Sequence, residues 1–229
     1  MGLAHSPKII TDNLVLCLDA ANTKSYGGSG TTWTDLSGEG NNGTIANGAT
    51  YTSGVDGYFD FDGLDDRVTI DSGIRTAVGE FVATSSNSFS ISIWFEPNTS
   101  DTSRNCMFSK ANGFGSAGNI FLEYAGTNLS SVIRGTATDD FYTSLTSTWH
   151  EVAICWDGTT FKCYVNGSFV SNLSVGTATS QDVDVRIGNS GNGNEPFDGK
   201  ISNVKVYTKG LTATEVAQNF NALRGRYGI

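Results

Sequence analysis

Charged residues are scarce in this chain of 229 residues: Asp, Glu, Lys and Arg make up 16% of it, whereas globular proteins average roughly 25%. Lys and Arg number 14 and Asp and Glu 23, which gives a net charge of −9. The few basic residues form no cluster, so the chain lacks the positive patch that holds phosphate backbones or anionic lipids. The composition therefore predicts that neither nucleic acid nor a membrane surface is a partner.

Long apolar runs and export signals are also missing. No stretch approaches the roughly 18 apolar residues of a membrane span, and the start of the chain, MGLAHSPKIITDN, has no basic region followed by an apolar one. We therefore expect no signal peptide and no transmembrane helix.

Metal-binding cysteine motifs are absent too. The four cysteines form no CxxC pair, and only two histidines accompany them, so a zinc site is not expected. Cys155 and Cys163 flank the turn WDGTT and could face each other across a hairpin. A chain of this length buries enough core without a disulfide, so we expect free thiols.

Proline occurs only 3 times, whereas glycine occurs 28 times. Short alternating or apolar runs, separated by Gly, Asn, Asp and Ser, fill almost the whole chain, a pattern typical of antiparallel strands and tight turns. With no internal linker, we predict one β-sandwich over residues 14–229, preceded by an arm or tail at residues 1–13. The predicted strands are 14–20, 57–61, 67–70, 89–96, 107–110, 119–124, 130–134, 149–156, 160–165, 168–172, 184–187 and 200–207.

Two dipeptides mark hairpins: Asp157-Gly158 and Asn166-Gly167 each separate two strand-like runs, and both tolerate the positive φ that tight hairpin turns need. The run FSISIWFEP at residues 89–97 alternates, so it predicts one core face and one polar face that carries a tryptophan.

The clearest helix signal lies near the end of the chain. Thr212 and Glu215 form a capping box, and Val216, Phe220 and Leu223 recur at helical spacing. We predict a short amphipathic helix at about 212–223. Its apolar face is expected to pack on the sandwich, with docking on a partner as the alternative.

Several segments together resemble a known family. LVLCLDAAN, TTWTDLSGEGNNGTI, GYFDFDGLDDRVTI, FSISIWFEP, STWHEVAICWDGTTFKCYVNGSFV and FDGKISNVKVYTKGLTATEVAQNF resemble the concanavalin A-like, laminin-G-like jelly rolls, in the right order. The resemblance implies a two-sheet antiparallel jelly roll. The flanking PKIITDNLVLCLDAANTKSY and NFNALRGRYGI are similar to proteins of tailed-bacteriophage particles, which implies a place on the virion.

Catalytic motifs are not found. The superfamily includes glucanases, but the family-like pattern Glu-x-Asp-x-x-Glu is missing, and Gly63 interrupts the nearest acidic series, Asp60, Asp62, Asp65 and Asp66. Neither Gly-x-Ser-x-Gly nor a phosphate loop occurs. We predict a protein that is not an enzyme.

No cofactor is required by these patterns, but a Ca²⁺ site is conceivable. Loops rich in Asp and Asn supply the oxygen ligands that Ca²⁺ prefers, and the resemblance implies a site between such a loop and the strand near the C-terminus. Where many relatives read Gly-x-Ile-Asp-Glu-Val, this chain reads GKISNV from Gly199 on, which weakens that site. The alternative is a tight turn whose aspartates cap backbone N–H groups. The candidate ligands are Asp35, Asp62, Asp65, Asp66 and Asp198.

Two loops, KANGFGSAGN and GNSGNGNEPF, have a composition suited to sugars, with amide groups for hydroxyls and a ring for stacking. The candidate carbohydrate-binding residues are Phe114, Asn119, Asn192, Asn194 and Phe197.

Together these observations predict a virion structural or decoration protein of a tailed phage, made in the host cytoplasm and displayed on the capsid or tail. Its expected partners are other virion proteins and surface glycans, and it is expected to form a homo-oligomer or symmetric array. The alternative is a lectin-like carbohydrate-binding module for cell-surface attachment.

Overall fold

The computed structural model describes residues 7–70, 73–78, 81, 83–84, 86–112, 120–133, 139–174 and 183–229. Two antiparallel sheets face each other across one core, and a short helix follows them. The all-β sandwich with a short C-terminal helix is therefore confirmed. The strands are β1 (Leu14–Asp19), β2 (Thr32–Trp33), β3 (Gly43–Ala46), β4 (Thr50–Thr52), β5 (Tyr58–Asp62), β6 (Arg67–Ile70), β7 (Phe89–Pro97), β8 (Asn105–Lys110), β9 (Ile120–Ala125), β10 (Asn128–Ile133), β11 (Asp139–Tyr142), β12 (His150–Trp156), β13 (Phe161–Val165), β14 (Ser168–Leu173), β15 (Val185–Ile187) and β16 (Asp198–Tyr207). The helices are α1 (Gly73–Ala77) and α2 (Ala213–Leu223), and a 3₁₀ turn covers Arg224–Arg226.

Within the described residues, the two sheets each contain eight strands. Sheet A has the order β14-β13-β12-β7-β16-β5-β4, with β1 also paired to β16, and sheet B has the order β11-β10-β9-β8-β15-β6-β3-β2. β16 pairs with β7 on one side, while on its other side it pairs first with β5 and then with β1. The register with β7 shifts between Ile201 and Asn203, so Ser202 lies at the point where β16 changes partners.

Both predicted hairpins are confirmed. β12 pairs with β13, and β13 with β14, and Asn166 and Gly167 have φ of 48° and 73°, as a tight turn between twisted strands requires. Cys163 lies opposite Ile154, one residue from Cys155, so the two cysteines point to opposite faces of sheet A. The four cysteines, all within the described residues, form no disulfide and are buried, as the sequence predicted.

The alternation of β7 builds the core. Its first set, Phe89, Ile91, Ile93 and Phe95, lies between the sheets. Ser90, Ser92 and Trp94 on the other face are also buried, because the C-terminal segment lies over them. The outer face of β7, predicted to be polar with one tryptophan, is thus covered by the chain itself.

The C-terminal helix packs on sheet A. The capping box of Thr212 and Glu215 is present, and Val216 and Leu223 are buried. The ring of Phe220 lies parallel to that of Trp94, with centroids 5.5 Å apart. The packing role favoured by the sequence is therefore confirmed, and this apolar face is not available to a partner.

Residues 7–13 of the predicted arm run along α2 of their own chain. The backbone N–H of Ile10 donates to Oδ1 of Asn219 at 2.8 Å, and Tyr207 Oη donates to the Ile10 carbonyl at 3.1 Å. These residues therefore do not extend toward a neighbour, and residues 1–6 lie outside the described part. Within the described residues, no helix has the length and apolar character to cross a membrane.

Candidate functional site

An acidic turn connects β5 to β6. Gly63, with φ of +73°, reverses the chain after Asp62, and as a result carboxylate oxygens of Asp62, Asp65 and Asp66 lie within 4.8 Å of one another. Three of the five aspartates predicted as Ca²⁺ ligands are thus brought together.

Asp66 is the most buried member of this acidic turn, at 3% exposure. Its Oδ2 accepts the backbone N–H of Asp62 at 3.1 Å, whereas its Oδ1 has no hydrogen-bond partner. Burial raises the pKa of the Asp66 carboxyl; the backbone hydrogen bond opposes this rise, and the charges of Asp62 and Asp65 add to it. A buried carboxylate oxygen that lacks a hydrogen-bond partner and lies near other carboxylates favours a cation as its partner.

The other two predicted ligands do not belong to this group of three carboxylates. Asp35 accepts the backbone N–H groups of Cys17, Ser37 and Asn41 and the hydroxyl of Ser37, so its carboxylate is already occupied in holding β1 and its own loop. Asp198 lies opposite Asp62 in the β5–β16 pair and accepts from Asn98 Nδ2 at 2.8 Å.

The substituted positions of the GKISNV segment lie away from this turn. Ser202 and Asn203 are buried, and the Ser202 hydroxyl donates to the Gly57 carbonyl at 2.6 Å and accepts from Tyr227 Oη at 2.8 Å. Ser202 thus anchors the C-terminal segment, which explains a small hydroxyl at this position.

The predicted sugar-binding residues divide into three groups. Asn192 and Asn194 are exposed in the loop after β15, and Asn192 Oδ1 accepts from Ser190 Oγ and from the Asn194 backbone. Phe197 is 0% exposed and packs edge-on against Phe61 and Tyr124. The stacking role predicted for Phe197 is therefore wrong, because its ring belongs to the core. Phe114 and Asn119 lie outside the described residues.

A polar recess of about 350 Å³ lies on the outer face of sheet B. Leu122, Tyr124 and Leu129 point into the core, so the residues between them point outward. Register aligns Glu123 of β9 with Cys106 of β8 and with Ser130 of β10, and Ser130 in turn with Asp140 of β11. We call this site the polar recess; its lining residues are Thr102, Arg104, Glu123, Ala125, Asn128, Ser130 and Asp140.

Glu123 is the central group of the polar recess. It is 1% exposed; its Oε1 pairs with Arg104 Nη1, and its Oε2 has no hydrogen-bond partner. Burial raises the pKa of the Glu123 carboxyl to about 7; Arg104 opposes the rise, and the charges of Glu195 and Asp140 add to it. The backbone carbonyl of Glu195 accepts from Cys106, so the loop with Asn192 and Asn194 borders the same face.

Sequence reasoning did not single out the polar residues of this recess. One signal was available: Glu123 is a lone carboxylate in the apolar run IFLEYA, at a position that alternation turns outward. Its alignment with Ser130 and Asp140 depends on strand register, which the sequence pattern left open.

The fold and the polar recess define a two-sheet jelly roll with a hydrogen-bonding site on an outer face. A family profile described as the concanavalin A-like lectin/glucanases superfamily, of the laminin G type, matches residues 62–217. Because this match covers more than half of the chain, the chain belongs to that family, as the resemblance implied. No curated protein matches it.

Solved structures with the same fold include toxin binding domains. The binding domain of botulinum neurotoxin DC in complex with rat synaptotagmin II superimposes with a TM-score of 0.69 at 16% identity, over 93% of this chain and 52% of that one. The same toxin domain in complex with SialylT gives 0.68 at 16% identity, and the binding domain of Paraclostridial Mosquitocidal Protein 1 gives 0.68 at 18%, each over 93% of this chain and 52% of the other. This chain spans about half the length of those structures, and the likeness shows a shared fold.

Proposed function

We propose that this chain is a lectin-like carbohydrate-binding module and that the polar recess on sheet B holds the sugar. The observation that carries the proposal is Oε2 of Glu123, a buried acceptor without a donor in a recess lined by hydroxyl, amide and carboxylate groups. A buried acceptor without a partner is costly, and sugar hydroxyls supply donors.

The comparisons support a binding role without identifying a ligand. The similar toxin domains are described in complex with synaptotagmin II or SialylT, and cell entry of botulinum neurotoxin type C is described as dependent on interaction with two ganglioside molecules. Domains that contain a jelly roll of this fold therefore take part in receptor binding elsewhere, and the polar recess gives this chain a hydrogen-bonding site of its own.

The first test is a glycan array followed by calorimetry on the best ligand. Replacing Asn128 and Ser130 by alanine removes two polar groups of the recess, and we expect affinity to fall by about tenfold or more. Asn172→Ala on the exposed side of β14 is the matched control and should leave affinity unchanged. If the double variant binds the glycan as tightly as the wild type does, the polar recess is not the binding site.

We also propose that the module binds without catalysis. The similar structures are described as binding domains, and the sequence lacks the glucanase pattern. Release of reducing ends from the array's best ligand is the measurement. If the wild type releases reducing ends and Asp60→Asn or Glu123→Gln does not, the protein is a hydrolase and this proposal is wrong.

Calcium at the acidic turn is a second proposal. The unpartnered Oδ1 of Asp66 and the nearby carboxylates of Asp62 and Asp65 fit a hard cation, with water or carbonyl groups completing the ligand set. Bound Ca²⁺ would offset most of the negative charge of the three carboxylates and would link β5 to β6. We expect Ca²⁺ to raise the melting temperature of the wild type and of Glu39→Gln, an exposed carboxylate control, but not of Asp65→Asn. Equal shifts in all three proteins would exclude the turn as the site.

The place of the module on a phage particle, together with other virion proteins and in a symmetric array, remains a prediction from the sequence. Gold-labelled antibody on purified particles tests the location, and sedimentation of the purified chain tests the oligomer. Labelling of heads or tails would support the virion assignment, and particles without label would exclude it.

A further inference from the structure

The charges around the polar recess bear on the class of sugar that it accepts. Among the described residues, the carboxylates that influence Glu123 are Asp140, which lines the recess, and Glu195, from the loop beside it. Arg104 is the basic residue of the recess, and its Nη1 is engaged by Glu123. Within the described part of the chain, the recess and its border therefore hold three carboxylates and one guanidinium, in a protein whose net charge is −9.

The recess also has hydrogen-bond acceptors that lack good donors. Oε2 of Glu123 has no donor, and the one hydrogen bond that Asp140 Oδ2 receives from the described residues is a long one from Asn128 Nδ2, at 3.4 Å. An ionised carboxylate is only an acceptor. A ligand must therefore bring hydroxyl or ammonium groups to these oxygens, and a ligand carboxylate or sulfate would bring a like charge and no donor.

We propose that the polar recess selects sugars by charge: amino sugars with a free ammonium bind most tightly, uncharged sugars less tightly, and sugars that bear a carboxylate or sulfate are excluded. This inference rests on the proposed function, since it concerns the same recess. Cationic ligands gain a charge-assisted hydrogen bond to Glu123, and such bonds are stronger than neutral ones.

The inference also predicts a pH effect on binding. The ionisable groups that influence Glu123 are Arg104, Asp140 and Glu195, and Cys106 lies beside it in register. Since the pKa of Glu123 is about 7, binding of an ammonium at pH 6.5 requires Glu123 to release its proton. Calorimetry in two buffers of different ionisation enthalpy would detect that release for the amino sugar and none for the uncharged sugar.

The test uses three tetrasaccharides as probes, of glucosamine, N-acetylglucosamine and galacturonate, titrated in physiological salt at pH 6.5, where the glucosamine amines are largely protonated. We expect the glucosamine tetramer to bind about tenfold more tightly than the acetylated one, and the galacturonate tetramer not to bind. Glu123→Gln and the exposed-site variant Asp140→Asn should each reduce this preference. Glu39→Gln, which changes the net charge by the same unit on an exposed side chain, should retain it and so controls for the general attraction of a cation to an acidic protein.

The outcomes separate the two proposals. Tight binding of galacturonate, or a preference that Glu123→Gln and Asp140→Asn leave intact, would overturn charge selection while leaving carbohydrate binding in place. If the array and all three probes show no binding, carbohydrate binding itself is refuted, and charge selection with it.

Discussion

The ring of Tyr227 stacks on that of Trp94, with centroids 4.1 Å apart and the planes inclined by 17°. Trp94 also lies against Phe220, so the indole is enclosed between the helix and the residues that follow it. The Tyr227 hydroxyl meanwhile reaches Ser202 at the point where β16 changes partners. The end of the chain is therefore a structural part of the sandwich.

This stacking leads to a prediction about stability. Tyr227→Ala removes a buried ring and should lower the free energy of unfolding by roughly 3 kcal/mol, whereas Tyr227→Phe loses only the hydrogen bond to Ser202 and should cost about 1 kcal/mol. Denaturant unfolding measures both. Ile229→Ala, at an exposed position, should stay within about 0.5 kcal/mol of the wild type. If the alanine and phenylalanine variants at 227 were equally stable, the ring would have no packing role.

Two glycines of the loop between β15 and β16 offer a matched pair. Gly188 and Gly193 both have φ of +81°, but a Cβ at Gly188 would collide with the ring of Phe61, while a Cβ at Gly193 would meet nothing within 4 Å. Gly193→Ala should cost about 1 kcal/mol for the left-handed backbone alone. Gly188→Ala should cost at least about 1 kcal/mol more, because the core around Phe61 must shift. Equal melting temperatures for the two variants would contradict this account.

The buried carboxyl of Glu123 makes stability depend on pH. Its folded pKa of about 7 lies above the usual 4.5, so between these values the folded state retains a proton that the unfolded state loses. Stability therefore falls as pH rises from about 4.5 to 7 and then levels off. Glu123→Gln should remove this part of the slope, on the order of 2 kcal/mol, as measured by unfolding at pH 5 and pH 7.5.

Glu39→Gln, at an exposed carboxylate, is the control for that experiment and should retain the slope of the wild type. Glu151, fully buried beneath the helix, also has a pKa raised to about 7 by burial, and it contributes a slope of its own in every variant. A stability difference between Glu123→Gln and wild type that is the same at both pH values would refute the assignment.

The four thiols should be unreactive in the folded protein. Burial raises the pKa of Cys17 to about 11 and that of Cys155 to about 12, and Cys106 and Cys163 are 0% exposed. Because the thiolate is the reactive form, a thiol reagent at pH 8 should modify them only after unfolding. Four equivalents reacting in denaturant, and almost none without it, is the expected result. Rapid modification of the folded protein would show that one of these sites opens.

Local patterns in the sequence were sufficient for most of the elements, although β2, β3, β4 and β11 were not among the predicted strands. Alternation assigned Phe89 and Ile91 to the core, the Asn166-Gly167 dipeptide located a hairpin, and Thr212 with Glu215 located the start of the helix. Each of these depends on neighbours within a few residues. The sequence also predicted correctly that Asp62, Asp65 and Asp66 lie close together, since they share one turn.

Long-range packing decided the rest. Phe197 lies in a loop rich in Gly and Asn, and the composition of that loop predicted an exposed ring. The ring is instead buried in the core beside Phe61. Asp35 was predicted as a metal ligand, yet its carboxylate accepts four hydrogen bonds from Cys17, Ser37 and Asn41. Composition alone does not distinguish these roles.

The sequence by itself determined the antiparallel strands of a sandwich and the capped C-terminal helix, because hydrophobic periodicity and turn chemistry act over short distances. Its resemblance to a known family implied the two-sheet jelly roll. Only the tertiary structure decided that the helix closes the outer face of sheet A and leaves the polar recess on sheet B open. That recess depends on the register of β8 to β11, which aligns Glu123, Ser130 and Asp140 from three separate strands. Register is set by pairing across the whole sheet, and a one-residue slip would turn these side chains toward the core.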